Sequence, residues 1–139
     1  MDIFNVFEIS ATALSAQRLR INLVSSNLAN IDSTRSTNGG PYQRQDVIFA
    51  AVPTQKQFEN FLHENLEGVQ VVEIIKDPRP FKQKYDPSHP DADKGGYVTM
   101  PNINLMEEMV NLILACRSYE ANVTVINATK NMALKALEL

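Results

Sequence analysis

Between Leu105 and Leu137 a residue fit for a helix seam returns at alternating steps of four and three: Leu105, Met109, Leu112, Cys116, Tyr119, Val123, Ile126, Lys130, Ala133 and Leu137. Only Lys130 in that series is of a type charged at neutral pH. The spacing describes one stripe of an amphipathic helix about 50 Å long, which needs a partner of similar length along its course. Its start is marked by Asn104 three residues before Glu107, a capping pair in which each side chain can satisfy a free backbone N–H of the first turn. Glu107 and Glu108 early and Lys130 and Lys135 late also suit the helix dipole.

The other end of the chain offers the partner. Ile3, Phe7, Leu14, Ile21, Val24, Leu28 and Ile31 are spaced as one helical stripe, with Ser10 and Gln17 as its polar gaps. No glycine or proline occurs before residue 39, and Asp2 is placed to cap the start. This predicts a first helix of about 40 Å. Leu19, Leu23, Val110, Ile113, Val125, Met132 and Leu134 lie beside the two seams and widen each apolar face beyond what one partner helix covers. The surplus asks for helices from other subunits, so folding of the ends and assembly are expected to be coupled.

The middle has a different character. Asp32 to Pro41 is polar and rich in turn formers, and reads as a loop. Tyr42 to Val52 and Val69 to Lys76 are β-branched and predict strands, with a third at Phe81 to Tyr85 after the Pro78 and Pro80 break. Between the first two, Pro53 opens a short amphipathic helix with Phe58, Phe61, Leu62 and Leu66 on its apolar face and Gly68 at its C′ position. Asp86 to Gly96 is turn-forming again. The fold class predicted is α+β: long terminal helices pairing as a coiled-coil-like bundle over 1–31 and 104–139, with a compact β-rich region over 32–103.

Composition excludes several functions. A chain of 139 residues is the size of one domain, and thirteen Lys and Arg against sixteen Asp and Glu leave a net charge of −3 with no basic stripe, so nucleic acid is not an expected partner. The single cysteine, Cys116, lies on an apolar seam and reads as a small hydrophobe. No apolar run is long enough to cross a bilayer, Glu8, Arg18 and Arg20 do not make a basic membrane-binding face, and Met1-Asp2-Ile3-Phe4 lacks the pattern of a secretory signal. Asp86, His89, Asp91 and Asp93 cluster as metal-capable groups, but read as a calcium loop from Asp91 they place Gly95 at the fifth ligand and Asn102 at the closing glutamate. Turn formation explains the same residues. His63 falls on the polar side of the short helix and reads as solvated. No nucleophile elbow or phosphate loop is present in the sequence, so neither catalysis nor a cofactor is expected.

Four stretches then carry a resemblance. Ser26-Asn27-Leu28-Ala29-Asn30-Ile31-Asp32, with Ser25 in the place of the first serine, resembles the signature of flagellar rod, hook and hook-associated proteins at the end of their first helix. Asn5-Val6-Phe7-Glu8-Ile9 and Ala13-Leu14-Ser15-Ala16-Gln17 are similar to the opening of the C-type proximal rod proteins. Tyr85-Asp86-Pro87-Ser88-His89-Pro90-Asp91-Ala92-Asp93 followed by Gly96-Tyr97-Val98-Thr99-Met100-Pro101-Asn102-Ile103 resembles their middle landmarks. Glu108-Met109-Val110-Asn111 and Arg117-Ser118-Tyr119-Glu120-Ala121-Asn122 are similar to the terminal helix of the axial family. Residues 54–67 carry no part of the resemblance.

The resemblance implies a non-enzymatic subunit of the basal-body rod, the shaft that crosses the periplasm and transmits torque. It implies export by the flagellar type III apparatus without signal cleavage, terminal helices in an inner tube and the β region outside it. The implied partners are other rod proteins, copies of this chain, and the export-gate and MS-ring end of the basal body. Family-motif positions are Ser25, Asn27, Ala29, Asn30, Tyr85, Pro87, Pro90, Gly96, Tyr97, Met100, Pro101 and Asn102; Asn27 to Asn30 are expected to fix the turn out of the first helix, using the tolerance of Asn for left-handed backbone and the small Ala29 for close approach. Phe7, Leu14, Ile21, Leu28, Leu105, Met109, Leu112, Cys116, Tyr119, Val123 and Ile126 are the expected helix-packing positions. A type III secretion-related helical protein and an autonomous coiled-coil binding module are the competing classes; the β middle argues against the first, and the second would be stable in isolation with both ends intact.

Overall fold

A computed structural model describes residues 3–37, 39–53 and 66–138. The element order is α1 (Ile3–Ala29), β1 (Gln45–Pro53), β2 (Glu67–Lys76), β3 (Lys82–Tyr85), β4 (Tyr97–Met100) and α2 (Leu105–Leu137). The α+β class, the long helix at each end and the strand-bearing middle agree with the sequence reading. Asp2 and the short helix expected after Pro53 lie outside the described residues, whereas Gly68, expected to close that helix, is buried in β2 opposite Val52.

α2 begins where the capping pair places it. Asn104 is extended, and its side-chain oxygen accepts from the Met106 N–H at 3.1 Å. The reciprocal half of the expected pair takes another form: the Glu107 carboxylate accepts from the Asn104 side-chain amide at 3.4 Å and from Arg79 at 3.0 Å. At the end of α1 Asn30 caps the last turn: both its backbone N–H, at 3.1 Å, and its side-chain amide, at 2.9 Å, donate to the Ser26 carbonyl.

The helices pack along each other. Asn27 meets Glu108, and Arg20 donates to the Asn111 side-chain oxygen at 3.5 Å, so a step backward along α1 is a step forward along α2. The two therefore run in opposite directions. Few positions on either helix are fully buried, and most of these are polar or small. On α1 the buried residues are Ser10, Ala16, Val24 and Asn27, and on α2 they are Glu108, Ala115 and Thr129. Of the expected α2 seam, Leu112, Cys116, Tyr119, Val123 and Ile126 are half-buried, while Leu105 and Met109 are exposed. Phe7, Leu14, Ile21 and Leu28 on α1 are half-buried. Ser10 and Gln17, read as gaps, sit instead at the inner face; the Gln17 side-chain oxygen is buried with no hydrogen-bond partner among the described residues.

The compact β unit expected in the middle resolves into two separate antiparallel ribbons, β1–β2 and β3–β4. The reason is Asp77-Pro78-Arg79-Pro80, which follows β2: two prolines without N–H donors end the ladder, and β3 cannot join the first sheet. In the first ribbon the register slips between Ile48, opposite Glu73, and Phe49, opposite Val71, which makes Val72 the extra residue of a bulge. In the second, β3 pairs with Tyr97–Met100, a strand the sequence reading left unassigned because Gly95 and Gly96 precede it. Val98 and Ile103 are nearly fully buried and carry the apolar core near the start of α2. Between α1 and β2 runs an open groove of about 500 Å³ lined by Thr12, Ser15, Leu19, Val69 and Val71.

Candidate functional site

A buried cluster of polar side chains lies where the helices meet the strands. Glu108 and Asn27 have no exposed surface, and Arg44, Asp77 and Asn102 are buried beside them. Five segments converge here: the end of α1, the entry to β1, the exit from β2, the link before α2, and the first turn of α2.

Asn27 comes first because it touches three of them. It lies one turn before the end of α1, where its side chain can face the strands rather than continue the helix surface. Its amide nitrogen donates to the Gln45 carbonyl at 2.8 Å, and its oxygen accepts from the Gln45 N–H at 3.0 Å. The side chain thus pairs with one residue of β1 as a neighbouring strand would. The same nitrogen donates to Glu108 Oε2 at 3.0 Å, and Tyr42 donates its hydroxyl to the Asn27 oxygen at 3.1 Å.

Glu108 brings α2 into the site. Its Oε1 accepts from Arg44 Nε at 2.6 Å, so one carboxylate holds α1 with one oxygen and β1 with the other. Arg44 continues outward, with Nη1 at 2.9 Å from Asp46 and 3.4 Å from Asp77. Burial works against the Arg44 charge, but its bonds to Glu108 and Asp46 outweigh that cost and raise its pKa above the ordinary value. Asp77 is held below the usual carboxylate range, first by its hydrogen bond to the Arg79 side chain and then by the Arg79 N–H and nearby charges, against the opposing effect of burial. Arg79 is raised in turn by Asp77 and Glu107.

Asn102 knits the remaining backbones. It accepts from the Arg44 N–H at 2.9 Å and donates to the Asp77 and Arg79 carbonyls at 3.1 and 3.0 Å. Gln43 also donates to the Asp77 carbonyl, at 2.8 Å, and Lys82 reaches the Ile103 carbonyl just before α2. Each carboxylate is committed to a guanidinium or an amide. The arrangement binds segments of its own chain together and presents no free nucleophile.

A second cluster organises the loop before β4. Tyr85 and Tyr97 pack edge to face with ring centres 5.2 Å apart. Gly96 lies beneath them with φ +80°, and a Cβ there would come within 2.9 Å of Tyr85 and 3.2 Å of Pro87. Only glycine fits that turn. The Asp93 carboxylate accepts from the Gly95 and Tyr97 N–H groups at 2.8 and 2.9 Å. Asp91 accepts from the Thr34 hydroxyl at 2.7 Å and pairs with Arg35, pinning this loop to the one after α1. Thr34 and Arg35 hold the Asp91 carboxyl below its ordinary pKa, and Ser88 does the same to Asp86. Among the described residues no group of His, Cys, Asp and Glu side chains is arranged to hold a metal ion.

Of the family-motif positions, Asn27 and Asn102 enter the buried junction, Tyr85, Pro87, Gly96 and Tyr97 form the aromatic turn, and Pro101 is buried between the two. Met100 is half-buried, and Ser25, Ala29 and Pro90 are exposed. One expectation for the first motif is corrected. Among the described residues no non-glycine residue has positive φ, so the turn after α1 uses the Asn30 side-chain bond rather than left-handed backbone. Ala29 is exposed in the single chain. Sequence reasoning missed Arg44, Asp77 and Arg79, which lie in no motif; Asp77 was visible only as the residue before a proline break.

Comparison with known proteins follows the same map. Residues 7–35 match the family described as flagella basal body rod protein, and residues 94–139 match the flagellar basal body rod FlgEFG protein C-terminal family. The flagellar basal-body rod protein FlgC of Borreliella burgdorferi is 46% identical, with all of this chain and 98% of that protein covered. Those of Bacillus subtilis and Salmonella typhimurium are 44% and 42% identical, again over all of this chain and 99% and 98% of theirs. With such identity across whole lengths, the chain belongs to the FlgC family of flagellar basal-body rod proteins, whose members are structural rod components and not enzymes.

Proposed function

We propose that this chain is a structural subunit of the proximal rod, polymerising by packing of its terminal helices, as a coiled-coil-like bundle, against other rod proteins and copies of itself. In this reading 1–31 and 104–139 belong to the axial core and 32–103 stands outside it. The subunits together form a torque-transmitting shaft around an export channel, spanning the periplasm, with the export gate and MS ring at its base. Delivery is by flagellar export without a cleaved signal.

One observation carries the assembly part of this reading. Met106, Met109, Val110, Ile113 and Leu114 lie at successive helical spacings on α2 and are exposed in the single chain, Met106 to 69% and Ile113 to 57%. Its buried positions are Glu108, Ala115 and Thr129, with Leu112, Cys116 and Tyr119 half-buried. A helix that also leaves so wide an apolar face in water needs neighbours. Burying each such side chain contributes roughly 1.5–3 kcal/mol, so a few of them rival the whole stability of a small domain. Of the helix-packing positions named from the sequence, Leu105 and Met109 are exposed in the single chain and are assigned to these contacts in the same sense.

The test is to isolate detergent-resistant basal bodies from the source cell and probe them for this chain. Recovery with the rod fraction supports the proposal. Absence from that fraction in motile cells returns the chain to the class of autonomous helical binding modules.

A further inference from the structure

Glu108, together with Asn27, joins both helices to the strands, and the groups around it are divided in an unusual way. Arg44 has two carboxylates on its own side of the joint, Asp46 at 2.9 Å and Asp77 at 3.4 Å. Its backbone is held there as well: the Arg44 N–H bonds Asn102, and the Arg44 carbonyl accepts from the Asp77 N–H at 2.9 Å. Across the joint the helices contribute Ser26 and Asn27 from α1 and Glu107 and Glu108 from α2, and farther back on α1 the Thr12 hydroxyl accepts from the Val69 N–H at 3.2 Å.

We infer that this junction is a separable clasp: the strand-bearing region from Tyr42 to Ile103 keeps its own polar framework when the helices leave, and Glu108 is the catch that docks them.

The physical basis is what each side retains after separation. Breaking a buried ion pair is ordinarily costly because it strands a charge without a partner. Here Arg44 keeps Asp46 and Asp77, and Asn102 keeps the Arg44, Asp77 and Arg79 backbones together. On the other side, Glu108 enters water in the first turn of α2, where a negative charge is favoured by the helix dipole. Asn27 returns to an exposed amide. Neither half is left with an unpaired buried charge, so the contact opens and recloses as a unit. The inner helix faces suit such a joint, since Ser10, Asn27, Glu108 and Thr129 are polar and Ala16 and Ala115 are small. Glu107 with Arg79 forms a second strap, but both side chains are about half exposed and salt screens them. The clasp rests on the geometry of one chain, whatever assembly that chain joins.

Hydrogen exchange of the full chain, read by mass spectrometry, separates the halves. Glu108→Gln is expected to speed exchange about tenfold or more in the last turns of α1 and the first turns of α2, while β1, β2 and residues 97–103 stay within about threefold of the wild type. Asp77→Asn, which alters the framework itself, is expected to speed exchange in the strands too. A wild-type chain whose helices already exchange freely while the strands stay protected is the open clasp and also supports the inference. Three results overturn it: parallel loss of protection in strands and helices with Glu108→Gln, protected helix ends that Glu108→Gln leaves unchanged, or strands unprotected in the wild type.

Discussion

Asn27 pairs with Gln45 through both polar atoms of its amide, donating to the Gln45 carbonyl at 2.8 Å and accepting from the Gln45 N–H at 3.0 Å. A helix side chain thereby occupies the edge of a strand, and the end of α1 is fixed to the start of β1 without any loop geometry. Asn27→Ala removes that pair and the amide that Glu108 uses, and is expected to cost about 2–4 kcal/mol in chemical denaturation of the isolated chain. Asn27→Asp places a carboxylate beside Glu108 and should cost more than the alanine variant. Equal losses would mean that Glu108 is not confronted by residue 27.

The two partners of the central ion pair are not equivalent. Arg44→Met leaves Glu108 buried without a cation and is expected to lower stability by about 3–5 kcal/mol. Glu108→Gln leaves Arg44 with Asp46 and Asp77, and the amide can still bond Asn27 or Arg44, so a loss of about 1–2 kcal/mol is expected. Urea denaturation of both variants measures the asymmetry; a larger loss for Glu108→Gln contradicts the assignment.

At Gly96 two effects act together: positive φ and a side-chain contact below van der Waals distance. Gly96→Ala is expected to cost about 2 kcal/mol or more, with loss of the near-ultraviolet circular dichroism of the Tyr85–Tyr97 pair. Gly39 has a similar φ of +76° but open space around it, so Gly39→Ala should cost only about 1 kcal/mol. The difference between the two isolates the contact from the backbone strain.

Asp77 makes stability depend on acid. Its folded pKa lies below the unfolded value of about 3.9, so the unfolded chain binds its proton more readily. The stabilisation is therefore complete above that value and is lost as pH falls through the depressed folded pKa. A denaturation series between pH 6 and pH 2 should show a smaller acid-induced loss for Asp77→Asn than for the wild type. Identical slopes would remove Asp77 from the account.

The sequence made the helices legible because periodicity and capping are local signals. Asn104 fixed the start of α2, and the absence of glycine or proline before residue 39 marked out α1. Which face each helix turns inward was less legible. Ser10 and Gln17 looked like interruptions in an apolar stripe, yet Ser10 is buried and Gln17 half-buried, while Met106, Met109, Val110 and Ile113 of α2 are exposed. The junction was hidden for another reason: Asn27, Arg44, Asp77, Asn102 and Glu108 are scattered over 82 positions, and each is an ordinary surface residue in its own neighbourhood. Asn27 and Asn102 were noticed only because they sit in family motifs. The split of the strands into two ribbons was not expected, although Pro78 and Pro80 mark where it falls, and the partner of β3 was missed, since four residues after a glycine pair give too short a pattern.

The most direct test of the central claim is the amount of this chain in detergent-resistant basal bodies from cells carrying Ile113→Asp in place of the wild type. Ile113 is exposed on α2, away from the buried junction, so the variant should keep the wild-type thermal midpoint as a purified chain. The account predicts that it fails to enter the rod and that the cells do not swim, because assembly would bury an unpaired carboxylate. Wild-type levels in the basal body, with normal swimming, would contradict the claim that the outer face of α2 is where the subunit meets its neighbours.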